Sequence, residues 1–215
     1  MRDDISKRRF IEEAQHIIDS EGIQALTIRR IGKEMNCNTG NIYYYFRNLN
    51  ELATYATMRY MSDYVHALTD CMKDGDYTPE AYERLCCCYM EYTFRQPEVF
   101  RNLLYGSCAD NFGKISSSYY AIFPEELMKL HPEIARLLTD ENYSPLSENL
   151  LLTEFVKRGA FDAEDAAELG RIVILYNYGA LQNLIDRPDR DGFREELADQ
   201  YRKDIHALVE RFRSK

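Results

Sequence analysis

Apolar residues recur at helical spacing along almost the whole chain, and this periodicity is the feature that most restricts its fold. A first helix is expected over residues 6–20, because five apolar side chains there form one stripe. These are Phe10, Ile11, Ala14, Ile17 and Ile18. No segment shows the sustained apolar–polar alternation of a half-buried strand. The sequence therefore predicts an all-α fold.

Residues that favour helix ends divide the N-terminal part into four helices. Gly22 is placed to end the first helix, and Thr27 is a good N-cap for a second, short helix. Asn38 can cap a third short helix, and Asn48 a long fourth one. Glu51 follows Asn48 at the capping-box position.

The rest of the chain continues the helical pattern. The pair Thr78-Pro79 starts a fifth helix, since proline suits the first helical position. A loop is expected over residues 142–145. Further helices are expected over residues 98–108, 116–130 with a break at Pro124, 132–138, 147–158, 163–185 and 192–213.

The segment 26–46 reads as two short helices joined by a tight turn. The first would pack inward through Ile28, Ile31 and Met35, and the second through Ile42 and Phe46. The second begins with small polar residues, which let a helix lie deep in the DNA major groove. These are Asn38, Thr39 and Asn41, able to bond base edges or phosphates. Three consecutive tyrosines, Tyr43, Tyr44 and Tyr45, follow, and they cannot all face inward.

Charge is distributed unevenly along the chain, whose net charge is −9. Residues 1–55 contain eight basic and eight acidic side chains, so the remainder carries the whole excess. Within residues 27–47, four basic residues face one acidic residue, Glu34. The basic residues are Arg29, Arg30, Lys33 and Arg47. An acidic body attached to a locally basic N-terminal unit is consistent with a DNA-binding head.

Residues 7–52 resemble the tetracycline-repressor (TetR) family of regulators. The resemblance includes Leu-Thr-Ile-Arg at 26–29, Ile-Gly at 31–32, the Ile-Tyr-x-Tyr-Phe signature at 42–46, and Asn48 with Leu52. It implies a helix-turn-helix DNA-binding domain over residues 1–48, joined by a long helix to a ligand-binding and dimerisation domain over residues 49–215. It also implies a ligand-responsive repressor that binds a palindromic operator as a homodimer.

The same resemblance implies roles for individual residues. Thr27 and Arg29 would contact phosphate or a base, and Tyr43 and Tyr45 would hold phosphates. The residues that read the sequence of double-stranded DNA would be Thr39, Asn41 and Tyr44. Ligand entering the body would tilt the fourth helix, spread the two heads and release the operator.

Three positions depart from the family pattern. The turn is Asn36-Cys37-Asn38 where Gly-Val-Ser is frequent, and asparagine tolerates the left-handed conformation it requires. Leu49 stands where family members carry a phosphate-facing lysine, and Asn50 where an acidic residue tends to follow. Arg47 is close enough along the chain to supply the positive charge that Leu49 lacks. The alternative is a helical dimer of the same fold that acts through protein partners and has lost DNA binding.

The last two long helices are candidates for a dimer interface. The helix over 163–185 is apolar nearly all round, with Leu169, Ile172, Val173, Tyr176 and Ala180 on one face and Ile174, Leu175, Tyr178, Leu181 and Ile185 on another. One face can pack on its own core and the other on a second subunit. The final helix repeats apolar residues at three- and four-residue steps, namely Phe193, Leu197, Tyr201, Ile205, Leu208 and Phe212. We expect the two helices and their symmetry mates to form a four-helix interface.

The body is rich in aromatic residues, which can line an apolar pocket between helices. Such a pocket suits a hydrophobic or aromatic small-molecule effector, and the acidic excess suits a cation. The candidate pocket residues are Tyr89, Phe100, Leu104, Tyr119, Tyr120, Phe123, Phe155 and Tyr176.

Other classes of protein are disfavoured. The sequence has no glycine-rich phosphate loop, no GxSxG and no HExxH, so we expect no enzymatic activity and no cofactor. The four histidines lack metal-ligand spacing. No apolar run approaches the roughly 20 residues of a membrane helix, and the N-terminus lacks an apolar signal region. We therefore expect a cytoplasmic protein with no membrane segment.

The six cysteines show no CxxC spacing and no disulfide-framework pattern. We expect reduced, mostly buried thiols that pack as small apolar side chains. The run Cys86-Cys87-Cys88 leaves metal or redox sensing open as an alternative. Successive helical residues point about 100° apart, so the three thiols cannot converge on one ion.

Overall fold

The computed structural model describes residues 2–72, 75–144 and 150–213, and these residues form α-helices, short 3-10 turns and no β-strand. The expected all-α fold is confirmed. The helices are α1 (Arg2–Glu21), α2 (Ile28–Glu34), α3 (Gly40–Tyr45), α4 (Leu49–Cys71), α5 (Pro79–Arg95), α6 (Pro97–Tyr105), α7 (Phe112–Ile122), α8 (Pro132–Thr139), α9 (Leu150–Lys157), α10 (Ala163–Asp186) and α11 (Arg190–Phe212). The 3-10 turns are Ile23–Ala25, Ala109–Asn111 and Pro124–Leu127.

The end of α1 and the starts of α2, α4 and α5 lie where the capping residues predicted them, whereas α3 begins one residue later than a cap at Asn38 predicted. Gly22 follows α1 with a φ of 84°, a conformation that favours glycine. The Thr27 hydroxyl accepts a 3.1 Å hydrogen bond from the Arg30 amide, and Asn48 Oδ1 accepts one of 2.9 Å from the Glu51 amide. Thr78 Oγ1 accepts a 3.2 Å bond from the Ala81 amide at the start of α5. These bonds satisfy N–H groups that the first turn of a helix leaves without a partner.

Several predicted helices have different bounds in the structure, and α1, expected from residue 6, begins at Arg2. The helix expected over 98–108 ends at Tyr105, because Gly106 and Ser107 are weak helix formers. The helix expected from residue 116 begins at Phe112, whose ring is buried. Tertiary packing of that ring therefore decides where α7 begins. The first residues of the helix expected over 147–158 lie outside the described residues, and α9 begins at Leu150.

The chain divides into two compact units. Unit 1 comprises residues 1–63 and 102–144, and unit 2 comprises residues 64–101 and 145–215. The functional division expected after residue 48 stays a prediction.

Unit 1 contains the three N-terminal helices packed on a common core. Ile31 of α2, Ile42 of α3 and Phe46 are all buried, as their spacing predicts. Ile28 and Met35, expected to face inward, are only partly buried. The buried α1 residues are Phe10, Ile11, Ala14, Ile17 and Ile18.

Arg8 holds α1 against the segment that follows α7 in unit 1. Its guanidinium donates to the Ile122 carbonyl at 3.1 Å and pairs with Glu125 at 2.5 Å. The same group lies 4.4 Å from the centre of the Phe123 ring, within range of a cation–π contact. Gln15, two turns further along α1, donates a 3.4 Å hydrogen bond to the Tyr119 hydroxyl. These contacts fix the helix on which α2 and α3 pack.

Arg8→Ala is expected to lower the free energy of unfolding by about 1–2 kcal/mol. The loss combines a half-exposed ion pair, a hydrogen bond to a carbonyl and the ring contact. Urea titration followed by circular dichroism measures it. Arg9→Ala is the matched control, since it removes the same charge from an exposed position and should stay within about 0.5 kcal/mol of wild type. Equal losses in the two variants would contradict the role given to Arg8.

Unit 2 is built around α11, which packs on α5 and α10. Tyr201 of α11 stacks on Tyr176, with ring centroids 5.3 Å apart, and its hydroxyl donates to Asn177 at 2.7 Å. The α11 residues buried in this contact are Leu197, Tyr201, Ile205, Val209 and Phe212. The apolar stripe of α11 thus packs largely within its own chain, with Phe193 and Leu208 half-buried beside it.

Helix α10 has a buried face and an exposed apolar face. Leu169, Val173 and Ala180 are buried as expected, and Leu181, expected on the opposite face, is buried with them. Leu175 and Tyr178 are exposed by 71% and 45%. Helix α10 thus retains apolar surface that the described residues do not cover.

Candidate nucleic-acid interface

The turn between α2 and α3 brings the two helices close together. The Cys37 amide donates to the Gly32 carbonyl at 2.9 Å, and Asn36 adopts a φ of 47°. This left-handed conformation is one that asparagine tolerates, as the sequence predicted. A Cβ atom on Gly32 would lie 3.1 Å from Thr39 Cγ2. A small residue at this position therefore permits the close approach of α2 to the start of α3.

Helix α3 buries one face and exposes the other. Ile42 is fully buried, and Phe46, at the end of the helix, is buried against Tyr55, with ring centroids 5.6 Å apart. Tyr43 and Tyr44 are exposed by 57% and 75%, and Asn41 is exposed beside them. Helix α3 thus carries polar and aromatic groups on an outer surface that an apolar inner face holds in position.

Tyr45 differs from its two neighbours. It is half-buried, and its ring lies 5.7 Å from that of Phe10 and 4.9 Å from that of Tyr44. Its side chain therefore supports Tyr44 and closes the edge of the core. Of the three tyrosines, Tyr43 and Tyr44 have the most surface to offer a ligand.

Local hydrogen bonds determine which polar atoms remain for a ligand. Asn38 Oδ1 accepts a 2.8 Å bond from the Gly40 amide, although α3 begins at Gly40, so that Thr39 and not Asn38 occupies the N-cap position. Its NH₂ group remains as a donor. The Thr27 oxygen accepts from the Arg30 amide, which leaves its hydroxyl proton to donate. Both exposed side chains thus present donors, the groups that phosphate oxygens accept.

The basic residues of α2 differ in whether they form ion pairs with acidic side chains. Arg30 lies between Glu21 and Glu34, at 2.7 and 3.1 Å. Arg29 and Lys33 are exposed, and within the described part of the chain they form no ion pair. They are four residues apart on α2, so their side chains share one face of that helix. Lys33 was not among the residues expected to bind DNA, and the signal for it was this spacing from Arg29.

Arg47 is held by an acidic neighbour. Its Nε lies 3.1 Å from Glu51 Oε2, and its backbone amide donates to the same oxygen at 2.6 Å. The hydrogen bond to Glu51 raises the pKa of Arg47 above its ordinary value. In a capping box the glutamate reaches the amide of Asn48, whereas here it reaches the preceding residue. Glu51 thereby orients Arg47 while neutralising part of its charge.

Leu49, at the position of the family's phosphate-facing lysine, is the first residue of α4 and is half-buried. Its side chain thus contributes packing at the entrance to α4 and no charge. Asn50 is exposed, and its amide donates to the Ser107 hydroxyl at 3.2 Å.

The structure distributes the eight candidate pocket residues over both units. Leu104, Tyr119, Tyr120 and Phe123 lie in unit 1, where Tyr119 stacks on Phe123 at 4.7 Å between ring centroids. The other four lie in unit 2 and fall into three ring clusters: Tyr89 and Phe100 both contact Tyr64, Phe155 contacts Tyr82, and Tyr176 stacks on Tyr201. Six of the eight are buried, and Tyr89 and Tyr176 are partly exposed.

Among the candidate pocket residues, Tyr120 has a hydroxyl in an unusual environment. The Tyr120 hydroxyl is buried and has no hydrogen-bond partner among the described residues. The Tyr119 hydroxyl beside it donates to Glu126 at 3.0 Å. Burial is the main cause of a raised pKa at Glu126 and at both tyrosines. The tyrosines therefore stay protonated and can act as hydrogen-bond donors.

A known protein family matches the sequence of the N-terminal helices. Residues 10–56 match the family described as bacterial regulatory proteins, tetR family. The match is confined to the N-terminal part of the chain. It covers α1 from residue 10 onward, α2, α3 and the start of α4, and so includes the two helices and the turn described above.

One curated protein and one solved structure illustrate what else the chain is similar to. An HTH-type transcriptional regulator of Staphylococcus aureus (strain bovine RF122 / ET3-1) is 31% identical over 65 residues, which are 30% of this chain. The match spans about a third (35%) of that regulator's length. The crystal structure of PfmR, a TetR family transcriptional regulator from Thermus thermophilus, covers 92% of this chain and 96% of its own at 19% identity and a TM-score of 0.49.

Two searches of the described residues gave negative results. No helix among them is long and apolar enough to cross a membrane. They also contain no group of three or more histidine, cysteine or acidic side chains arranged to hold a metal ion.

Proposed function

We propose that the chain is a ligand-responsive transcriptional repressor that binds a palindromic operator as a homodimer. The observation that carries this proposal is the outer surface of α3, where Asn41, Tyr43 and Tyr44 are exposed on a helix anchored by Ile42 and Phe46. Short polar side chains at the start of such a helix allow it to enter the major groove and reach base edges. We assign the chain no catalytic role.

We divide the interface into reading and positioning residues. Thr39, Asn41 and Tyr44 read bases, and Asn38 donates to a base edge or a phosphate. Residues that position the head on the phosphates are Thr27, Arg29, Lys33, Tyr43, Tyr45 and Arg47. Phosphate contacts fix register, whereas base contacts specify sequence.

Selection from a random double-stranded DNA library, carried out at low and at moderate salt and followed by sequencing, tests this function. Enrichment of a palindrome with half-sites about 10 base pairs, or a multiple of that spacing, apart is the expected result. No enrichment at either salt would contradict operator binding. It would favour the second candidate function, a dimer that acts through protein partners, for which Leu49 and the acidic net charge are the motivating observations.

The dimer is proposed to form through the last two helices, with α10 supplying the apolar centre. Leu175 and Tyr178 lie one turn apart on its exposed face, and a Cβ atom on the adjacent Gly179 would meet no atom within 4 Å. Open space beside a glycine allows a second helix to approach closely. Light scattering at micromolar concentration is expected to give twice the chain mass, and a monomeric mass would contradict the symmetric operator.

The effector is proposed to be a small hydrophobic or aromatic molecule bound among the candidate pocket residues. Its binding would favour the dimer geometry with lower operator affinity, because a ligand shifts a population toward the state it binds better. A titration of the selected operator complex with candidate molecules, followed by fluorescence anisotropy, tests this part. If candidate molecules bind the protein but none of them releases the operator, the proposed role of the effector is contradicted.

Leu49→Lys is expected to strengthen DNA binding. A lysine at the first residue of α4 adds one phosphate contact per head, so the slope of log affinity against log salt should steepen by about 1 for each head. Affinity measured by anisotropy at several salt concentrations gives this slope. Leu49→Gln is the uncharged control and should leave it unchanged. An unaltered slope in the lysine variant would show that residue 49 does not face a phosphate.

A further inference from the structure

Unit 1 contains a buried hydroxyl whose capacity to form hydrogen bonds is not used. Tyr120 of α7 is exposed by only 1%, and its hydroxyl oxygen has no hydrogen-bond partner among the described residues. Such a group is unfavourable in a protein interior, because it loses its bonds to water and gains none in return. A phenylalanine would fill the same space without that cost. The hydroxyl therefore requires an explanation other than packing.

Three buried side-chain nitrogens in the described part of the chain also lack a partner, but their residues differ from Tyr120. Two of them belong to the guanidinium groups of Arg30 and Arg194, in each of which another nitrogen pairs with an acidic residue at 2.7 Å. The third belongs to Asn102, which as a residue is only half-buried. Tyr120 is almost fully buried, and the hydroxyl is its only polar side-chain group. It is therefore a hydrogen-bond donor held ready in the interior of unit 1.

The surroundings of Tyr120 combine aromatic rings with polar side chains. The Tyr119 ring lies edge-to-face to the Tyr120 ring, with centroids 5.2 Å apart, and Phe123 stacks on Tyr119 at 4.7 Å. The Tyr119 hydroxyl is already engaged, since it donates to Glu126 at 3.0 Å and accepts from Gln15 at 3.4 Å. Aromatic surface with a few buried polar groups is the usual composition of a small-molecule site.

We propose that these residues of α7 and the turn after it form the effector site, and that Tyr120 selects a neutral molecule carrying an acceptor oxygen. An aromatic ketone is the simplest molecule of this class. Its ring joins the aromatic cluster, and its carbonyl oxygen accepts the Tyr120 proton. The proposal rests on the proposed function where it calls this molecule an effector. It reduces the candidate pocket residues to one ring cluster and names the group that the ligand must carry.

The charges around the cluster disfavour an anionic ligand. Glu126 accepts the Tyr119 proton, so an acidic side chain already stands beside these rings. Arg8 lies 4.4 Å from the centre of the Phe123 ring, but it pairs with Glu125 at 2.5 Å and with Glu12 at 2.9 Å. Its positive charge is therefore already compensated. A second anion placed here would be repelled by Glu126, whereas a carbonyl or ether oxygen would not.

The unused hydroxyl predicts how its removal affects stability. Tyr120→Phe deletes a buried oxygen that has no partner, so the equilibrium constant for folding should rise by about 5-fold or more. Tyr119→Phe is the matched control on the adjacent residue, and it should lower the constant because its hydroxyl bonds both Glu126 and Gln15. Urea unfolding of the full-length chain, followed by circular dichroism, measures both. An unchanged or lowered constant in Tyr120→Phe would show that the protein satisfies this hydroxyl itself, and would overturn the proposal.

The ligand class is tested with three probes of nearly equal size, added to the full-length chain without DNA. Acetophenone carries a neutral acceptor oxygen, α-methylstyrene has a CH₂ group in place of that oxygen, and benzoate carries a negative charge. Ligand-observed NMR titration gives the affinities for wild type and for Tyr120→Phe. The affinity ratio of acetophenone to α-methylstyrene should be about 5-fold higher in wild type than in the variant, as one neutral hydrogen bond predicts. Wild type should bind benzoate more weakly than acetophenone.

Each contrary result bears on a different part of the proposal. Equal affinity ratios in the two proteins, or tighter binding of benzoate than of acetophenone, would overturn the ligand class. The absence of saturable acetophenone binding to wild type would overturn the site itself. Because neither unfolding nor probe binding involves DNA, both outcomes are independent of the operator selection that tests the proposed function.

Discussion

Replacing Tyr44 by alanine is expected to change which operator sequences the protein prefers while leaving its fold intact. The side chain is 75% exposed, and the Tyr45 ring is the aromatic neighbour described for it, so little packing is lost. If Tyr44 reads a base, the variant should lose about 1–3 kcal/mol of discrimination at that position of the operator. A randomised operator library, sequenced before and after binding to each protein, measures this preference base by base.

Tyr43→Ala provides the matched control. Both tyrosines are exposed and adjacent on α3, and both variants lose the same atoms. A tyrosine that contacts phosphate contributes equally to every sequence, so Tyr43→Ala should weaken all library members alike. Even losses across the library for both variants would contradict the assignment of Tyr44 as a reader. Circular dichroism of the two proteins should match that of wild type.

Gly113→Ala is expected to destabilise the protein by about 3 kcal/mol, because overpacking forces backbone to move. A Cβ atom at this position would lie 2.5 Å from the Glu141 carbonyl oxygen and 2.6 Å from that of Tyr143. Neither atom belongs to a flexible side chain, so relief requires a shift of α7 or of the segment after α8. The end of α8, from which that segment leaves, is already held by a 2.6 Å hydrogen bond from Ser116 to the Leu138 carbonyl.

Gly192→Ala makes the same chemical change where the surroundings differ. A Cβ atom there meets nothing within 4 Å, and the residue lies in the first turns of α11. Alanine is the better helix former, so this variant should gain about 0.5–1 kcal/mol. Urea unfolding of both variants therefore tests whether the two substitutions change the free energy of unfolding in opposite directions. Equal stabilities would show that the approach of residues 141–143 to α7 is looser than the structure describes.

Local sequence signals predicted the parts of the fold that local chemistry determines. The caps at Thr27, Asn48 and Thr78 depend on bonds to amides three residues away, and the sequence contains both partners. The burial of Ile42 and the exposure of Tyr44 follow from the helical period alone. The pairing of Arg47 with Glu51 was not predicted, because Glu51 was expected to complete a capping box with Asn48.

Contacts between distant segments were not predictable in the same way. Arg8 and Glu125 are 117 residues apart, and no local pattern joins them. The start of α7 is set by packing between Phe112 and Tyr143, whose ring centroids are 5.8 Å apart. The candidate pocket residues were chosen by type alone, and residue type does not reveal that they fall into several ring clusters.

The pairing of Arg47 with Glu51 has a consequence for the search along DNA. A phosphate that takes Arg47 must first displace a carboxylate that already occupies it, so the contact is an exchange of one anion for another. If the proposed function is correct, the exchange is expected to be incomplete on random sequence, where base readout does not hold α3 in register. Each random stretch of DNA is therefore expected to retain the protein only briefly. Under the proposed function the full contact is expected only after base readout has positioned α3, so a long residence time is expected only on the correct operator.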